Sequence, residues 1–237
     1  MGRNGEQHRS TYMVGKVAFR DFRLIKWPRD AAVGCLQCFQ AIALRTKNSD
    51  FSGMPCLQAL LCVKRKSLLN VLELGAGCGI AGIALAQTIP NSSVYLTDLP
   101  EAQDMLQKNV DIAKPAQGSS LRLGLLEWGS EITNETLPNR IDLILISDCT
   151  YNADSCSALV QTLVGLEQHS KGLKILLAMK RRHDAEAAFE YMMNRNGFHA
   201  LEFTKLAVPH RKSDADSIRP VVEIYLYERS EGAGTLS

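Results

Sequence analysis

From about residue 70 onward, short runs rich in β-branched and aliphatic residues alternate with longer stretches of helical periodicity, and this alternation leaves few folds open. A strand followed by a helix and a second strand builds a parallel pair, because the helix carries the chain back along the sheet before the next strand begins. Strands are predicted over 70–74, 93–97, 121–125, 141–147, 173–179, 199–206 and 221–227. Helices are predicted over 80–87, 100–113, 154–168 and 183–194, the second opening on Pro100 and the last stopping before Gly197. No helix fits between the last two strands, so they are expected to pair antiparallel. The fold class is therefore α/β: a Rossmann-like sheet of seven strands, mostly parallel with an antiparallel C-terminal hairpin and one reversed strand at the end, helices covering both faces.

The 237 residues suffice for one such domain but not for a nucleotide domain plus a separate substrate domain. Residues 1–12 are expected to form a flexible arm without the apolar core of a secretory leader. A helical segment is expected over 13–66, with helices at 27–44 and 56–63; the Rossmann-like core follows over 67–229 and a disordered tail over 230–237. No apolar run approaches the roughly 20 residues that cross a bilayer, so no membrane is expected as a partner.

Seven cysteines (Cys35, Cys38, Cys56, Cys62, Cys78, Cys149 and Cys156) are an odd number, and only Cys35 and Cys38 have metal-ligand spacing. No second Cys/His pair accompanies them, so buried helix cysteines are expected, no metal, and a reducing, cytoplasmic or also nuclear location. The net charge of +2 does not call for nucleic acid. The clusters 64–66 and 180–182 read as solvated element ends, with 180–183 also able to face an acidic partner.

Four motifs carry chemistry. In Val71-Leu72-Glu73-Leu74-Gly75-Ala76-Gly77-Cys78-Gly79, an apolar strand ends in a glycine-rich turn leading into a helix, at the sheet edge where open α/β folds bind ligands. Asp98 closes the second strand, placed to accept hydrogen bonds from both ribose hydroxyls of an adenosine. Trp128, in Leu126-Glu127-Trp128-Gly129 after the third strand, can stack on adenine. Ser147-Asp148-Cys149-Thr150-Tyr151 ends the fourth strand, where Asp148 can hold an incoming amine and Tyr151 can close the pocket. The plainer alternatives are helix caps at Asp98 and Asp148 and a core tryptophan at 128. Gly77-Cys78-Gly79-Ile80-Ala81-Gly82 also fits a dinucleotide fingerprint, but the chain lacks the second nucleotide-binding half which that reading needs.

These motifs, in this order, resemble the seven-strand S-adenosylmethionine-dependent methyltransferases of the family that contains the non-histone protein-lysine methyltransferases (methyltransferase family 16 type). Trp27 with Ala31-Ala32 looks like that family's segment leading into its first helix, although Pro28-Arg29 departs from it. The resemblance implies S-adenosyl-L-methionine as cofactor, contacted by Trp27, Glu73, Gly75, Gly77, Asp98, Trp128, Ser147 and Cys149, with Asp148 and Tyr151 at the acceptor. It implies a monomeric enzyme acting on a lysine of a protein substrate. The alternative acceptor is a small molecule methylated on N or O. No long lid insertion is visible beyond the N-terminal segment and the 209–217 loop, which favours the protein.

Overall fold

The computed structural model describes residues 13–14, 17–18, 54–61, 67–132, 137–150, 152–181, 184–207 and 221–230. In chain order the elements are β1 (Met13–Val14), β2 (Val17–Ala18), α1 (Pro55–Leu60), β3 (Leu69–Leu74), α2 (Ile80–Thr88), β4 (Ser92–Asp98), α3 (Pro100–Ile112), β5 (Ser120–Leu125), β6 (Leu143–Ser147), α4 (Ala153–His169), β7 (Lys174–Met179), α5 (Ala185–Arg195), β8 (Phe198–Ala207) and β9 (Val221–Arg229). Each strand expected from sequence is present within two residues at either end, and the opening segment departs from expectation. There the segment expected to be helical contains the antiparallel pair β1–β2. The expected helix over 27–44 lies outside the described residues.

Seven strands form one sheet in the order β5-β4-β3-β6-β7-β9-β8. All neighbours are parallel except β7–β9 and β8–β9, so β9 alone is reversed. It stands one place in from the edge, inserted between β7 and β8 rather than closing the sheet. The two-residue side-chain period sorts the strands onto two cores. Val71, Val94, Leu96, Leu143, Leu145 and Leu176 pack with Leu57 of α1, Ile83 and Leu85 of α2 and Leu106 of α3. On the opposite face Leu72, Leu74, Ile144, Ile146, Ile175 and Leu177 meet Leu159, Leu163 and Leu166 of α4 and Phe189 and Met193 of α5. Strands β3, β6 and β7 are covered on both faces, which is why they read as unbroken apolar runs in the sequence.

At one corner a register shift between Ala200 and Glu202 puts an extra residue, Leu201, into β8. Beyond this bulge Glu202 is buried at 8% exposure, and its carboxylate accepts from the backbone N–H groups of Cys56 and Leu57, the latter at 3.0 Å. It thereby caps the first turn of α1, whose own N-cap residue, Met54, makes no side-chain bond. No described helix is long and apolar enough to cross a membrane.

Helix α2 lies so close to the sheet that a side chain on Gly82 has no room. A Cβ there would come within 2.3 Å of Leu96 Cδ2 and 2.4 Å of Glu73 Oε2. Gly82→Ala is expected to destabilise the fold by ~2–3 kcal/mol through overpacking, read as a fall of roughly 4–12 °C in Tm. An unchanged melting temperature would show that the helix can shift outward freely.

Candidate functional site

The motif residues meet at the carboxyl ends of β3, β4 and β6 and just beyond β5. The loop after β3 turns through Gly75, Gly77 and Gly79 with φ of 61°, 57° and 75°, a conformation that side-chain-bearing residues adopt at a cost. Ala76 N–H donates to Thr97 O at 3.0 Å, tying the loop to the end of β4, and Gly79 then starts α2. A Cβ on Gly75 would lie 2.9 Å from both Trp128 Cζ2 and Cys149 Sγ, so the indole and the thiol close tightly around this glycine. A Cβ on Gly77 would meet nothing within 4 Å, which leaves open space beside the loop.

One carboxylate holds this loop and another holds the helix that follows it. Asp98 is half-buried; its Oδ2 accepts from Gly77 N–H at 2.6 Å and its Oδ1 from Leu99 N–H at 2.7 Å. Glu73 lies beneath, 1% exposed, and its Oε2 accepts from Gly82 N–H in the first turn of α2 at 2.9 Å. Burial pushes the Glu73 carboxyl up to about 8, the negative charge of Asp98 adds to the rise, and the Gly82 N–H opposes it. Glu73 is thus a neutral acid inside the protein at pH 7, turned toward the helix.

The Trp128 ring is half-buried against the α4 side of the core. Cys149 is buried, its thiol reaching Ser147 O at 3.3 Å and Leu74 O at 3.6 Å. Ser147 ends β6 and is 4% exposed. Register places these residues beside the loop: Leu74 pairs with Ile146 in adjacent parallel strands, so Ser147 and Asp148 run alongside Gly75 and Ala76. Asp148 itself is half-buried with φ 57°, a left-handed turn at a non-glycine residue, and its N–H donates to Ala178 O at 2.9 Å. This turn ends the strand, and the two residues after it, Cys149 and Thr150, are buried. Helix α4 is capped instead by Asn152, whose side chain accepts from Asp154 N–H at 3.0 Å, so Asp148 is not the cap of that helix.

Trp27 and Tyr151 lie outside the described residues, as do Arg182 and His183 of the basic cluster. Arg181 is ion-paired with Glu190 and, at 2.7 Å, with Glu223, so this part of the cluster is braced against α5 and β9. Sequence reasoning missed two supports of the loop. Thr97 Oγ1 donates to Glu73 O at 2.6 Å, and Asn109, 1% exposed on α3, donates from Nδ2 to Cys78 O at 2.9 Å. The available signal for Asn109 was a polar residue three positions after Leu106 on the inward face of α3. Among the described residues no group of three or more His, Cys, Asp or Glu is arranged to hold a metal.

Comparison with known proteins bears on the same stretch. A UPF0665 family protein of Schizosaccharomyces pombe is 39% identical over 121 residues, which are 51% of this chain and 36% of that protein. EEF1A lysine methyltransferase 3 of Mus musculus is 34% identical over 130 residues, 55% of this chain and 53% of that protein. The chain thus spans about half the length of these relatives, or less. Magnesium protoporphyrin IX methyltransferase from Synechocystis PCC 6803, solved with bound SAM, shares the fold with a TM-score of 0.52 at 16% identity, over 83% of this chain and 79% of that one. A family model described as lysine methyltransferase matches residues 38–196, a stretch that contains the glycine loop, Asp98, Trp128, Asp148 and Tyr151. With that match covering most of its length, the chain belongs to the lysine methyltransferase family.

Proposed function

We propose that this protein transfers the methyl group of S-adenosylmethionine to a lysine side chain of a protein substrate. The observation that carries the reading is the convergence on one sheet edge of the Gly75–Gly79 loop, Asp98, Trp128 and Asp148. Lysine as acceptor is supported by family membership and by the name of the Mus musculus relative. The residues present fit the cofactor. Gly75 and Gly77 leave the backbone approachable, with open space next to Gly77. Asp98, a carboxylate with about four acceptor positions, has lone pairs left for ribose hydroxyls after its two amide bonds. Trp128 offers a ring face to adenine, and Glu73 fixes the first turn of α2, into which the loop leads.

In the same reading Ser147 and Cys149 line the β6 side, Trp27 contacts the cofactor, and Asp148 and Tyr151 receive the acceptor amine. When bound, S-adenosylmethionine supplies an electrophilic sulfonium methyl, and transfer then depends chiefly on a nucleophile held in line at near-attack distance. The protein works as a monomer in the cytoplasm, with access to the nucleus, on a protein rather than on nucleic acid or a membrane. The net charge of +2 favours a protein over nucleic acid as the partner.

Calorimetric titration with S-adenosylmethionine, with NAD as control, tests the cofactor. One site is expected, and Asp98→Ala is expected to weaken it by roughly 10- to 100-fold, the worth of hydrogen bonds to a charged group. Binding of NAD alone, or of neither compound, would sink the reading. Labelled-methyl transfer into lysine of lysate proteins tests the acceptor class.

A further inference from the structure

Trp128 is not held by its own ring alone. The residue after it, Gly129, donates its backbone N–H to Thr162 Oγ1 of α4 at 2.8 Å, a contact across 33 residues. Thr162 is 1% exposed, and its hydroxyl proton is committed elsewhere: Oγ1 donates to Ala158 O, one turn earlier in the helix, at 3.0 Å. With the proton committed, the remaining lone pairs face outward as a fixed acceptor.

The surface of α4 around this acceptor is pared down to let the chain approach. A Cβ on Gly129 would lie 3.3 Å from Ala158 Cβ, and one on Gly165 would lie 3.0 Å from Ile132 Cγ1. Ala158, Thr162 and Gly165 follow one another at spacings of four and three, so they share one helix face. Behind the contact a cleft opens, lined by Gly129, Glu131, Gln161, Gly165 and His169 among others. The segment after β5 packs Leu126, Trp128 and Ile132 against the α4 side of the core, and the Thr162 bond is a directional contact that fixes its backbone there.

We infer that Thr162 is a positioning residue for cofactor binding: by fixing Gly129 it sets the backbone from which Trp128 closes over Gly75 and presents its face to adenine. The inference rests on the role proposed for Trp128. Thr162 touches no cofactor atom; it acts through the chain it holds. Replacing it by valine keeps the shape and leaves the Gly129 N–H without its acceptor.

The test titrates the full chain with S-adenosylmethionine and, separately, with adenosine, which carries only the portion that Trp128 and Asp98 address. Thr162→Val is expected to weaken both by a similar factor, roughly five- to tenfold, while Thr162→Ser, which retains the hydroxyl, binds as the unaltered chain does. In a Trp128→Ala background the valine change is expected to cost less than about twofold, because coupled neighbours are not additive. Unchanged binding by Thr162→Val, failure of serine to rescue, or full additivity with Trp128→Ala would each overturn the inference. If the valine chain does not fold, Thr162→Ala takes its place in the same comparisons. Absence of binding by the unaltered chain would overturn the methyltransferase reading itself, whereas binding that ignores Thr162 overturns this inference alone.

Discussion

Replacing Asp148 by alanine is expected to cut methyl transfer by about 1,000-fold or more while leaving the affinity for S-adenosylmethionine within about threefold, the signature of a group used at the acceptor rather than at the cofactor. A lysine amine has a reference pKa near 10.4, so presenting it neutral at pH 7 costs about 4–5 kcal/mol. A carboxylate beside it does not lower that cost. It holds the ammonium in line, and the proton then leaves through water. Asp148 stands where this can happen, alongside Gly75 and Ala76 at the end of β6. Its left-handed φ of 57° gives a useful control. Asparagine tolerates that conformation well, so Asp148→Asn keeps the turn and removes only the charge. Both variants are expected to lose turnover. If Asp148→Asn kept full turnover on the true substrate, the charge would have no part in the reaction; if alanine also did, the role assigned to Asp148 would be wrong.

The second large effect is a pH dependence of stability that Glu73→Gln removes. The Glu73 carboxyl titrates near 4.5 when unfolded and near 8 in the folded protein, chiefly because it is buried. Below the unfolded value both states keep the proton, and the stabilisation from the neutral buried acid is fully present. As the pH rises toward 8 the unfolded chain releases the proton and the folded one retains it, so stability falls by up to about 1.4 kcal/mol per pH unit. The contribution is lost once the pH passes the folded value. Glutamine does not titrate, and its carbonyl can still accept from Gly82 N–H. Between pH 5 and 8 the Gln variant is therefore expected to gain about 3.5 kcal/mol relative to the unaltered protein, read by urea unfolding at several pH values. Other titrating groups are common to both chains and cancel in the difference. Parallel stability–pH curves would show that Glu73 is ionised in the fold.

What the sequence discloses here is mainly what short-range patterns control. Runs such as 71–74 and 143–147 announce strands because both of their faces must be apolar, and Pro100 and Gly197 mark a helix start and stop by backbone geometry alone. The placement of Asp98 and Asp148 at strand ends follows in the same way. The seat of β9 between β7 and β8 does not, since a hairpin sequence specifies one partner of a strand and the second is chosen by the whole sheet. Thr162 and Asn109 escaped notice because each serves a backbone atom more than thirty residues away, 33 and 31 respectively. The pair β1–β2 was hidden by its brevity, two residues to a strand.

The cap that Glu202 places on α1 also has a history in time. During synthesis from the N-terminus the six residues of α1 emerge first, and the carboxylate that accepts from Leu57 N–H follows 145 residues later. A helix so short cannot sustain itself alone. This corner therefore sets only after β8 has been made and has joined the sheet, so the earliest helix described is among the last to become permanent. In the finished protein the same dependence runs backward: whenever the edge strand β8 peels away, α1 loses its anchor at that moment, and two segments far apart in the chain open as one unit.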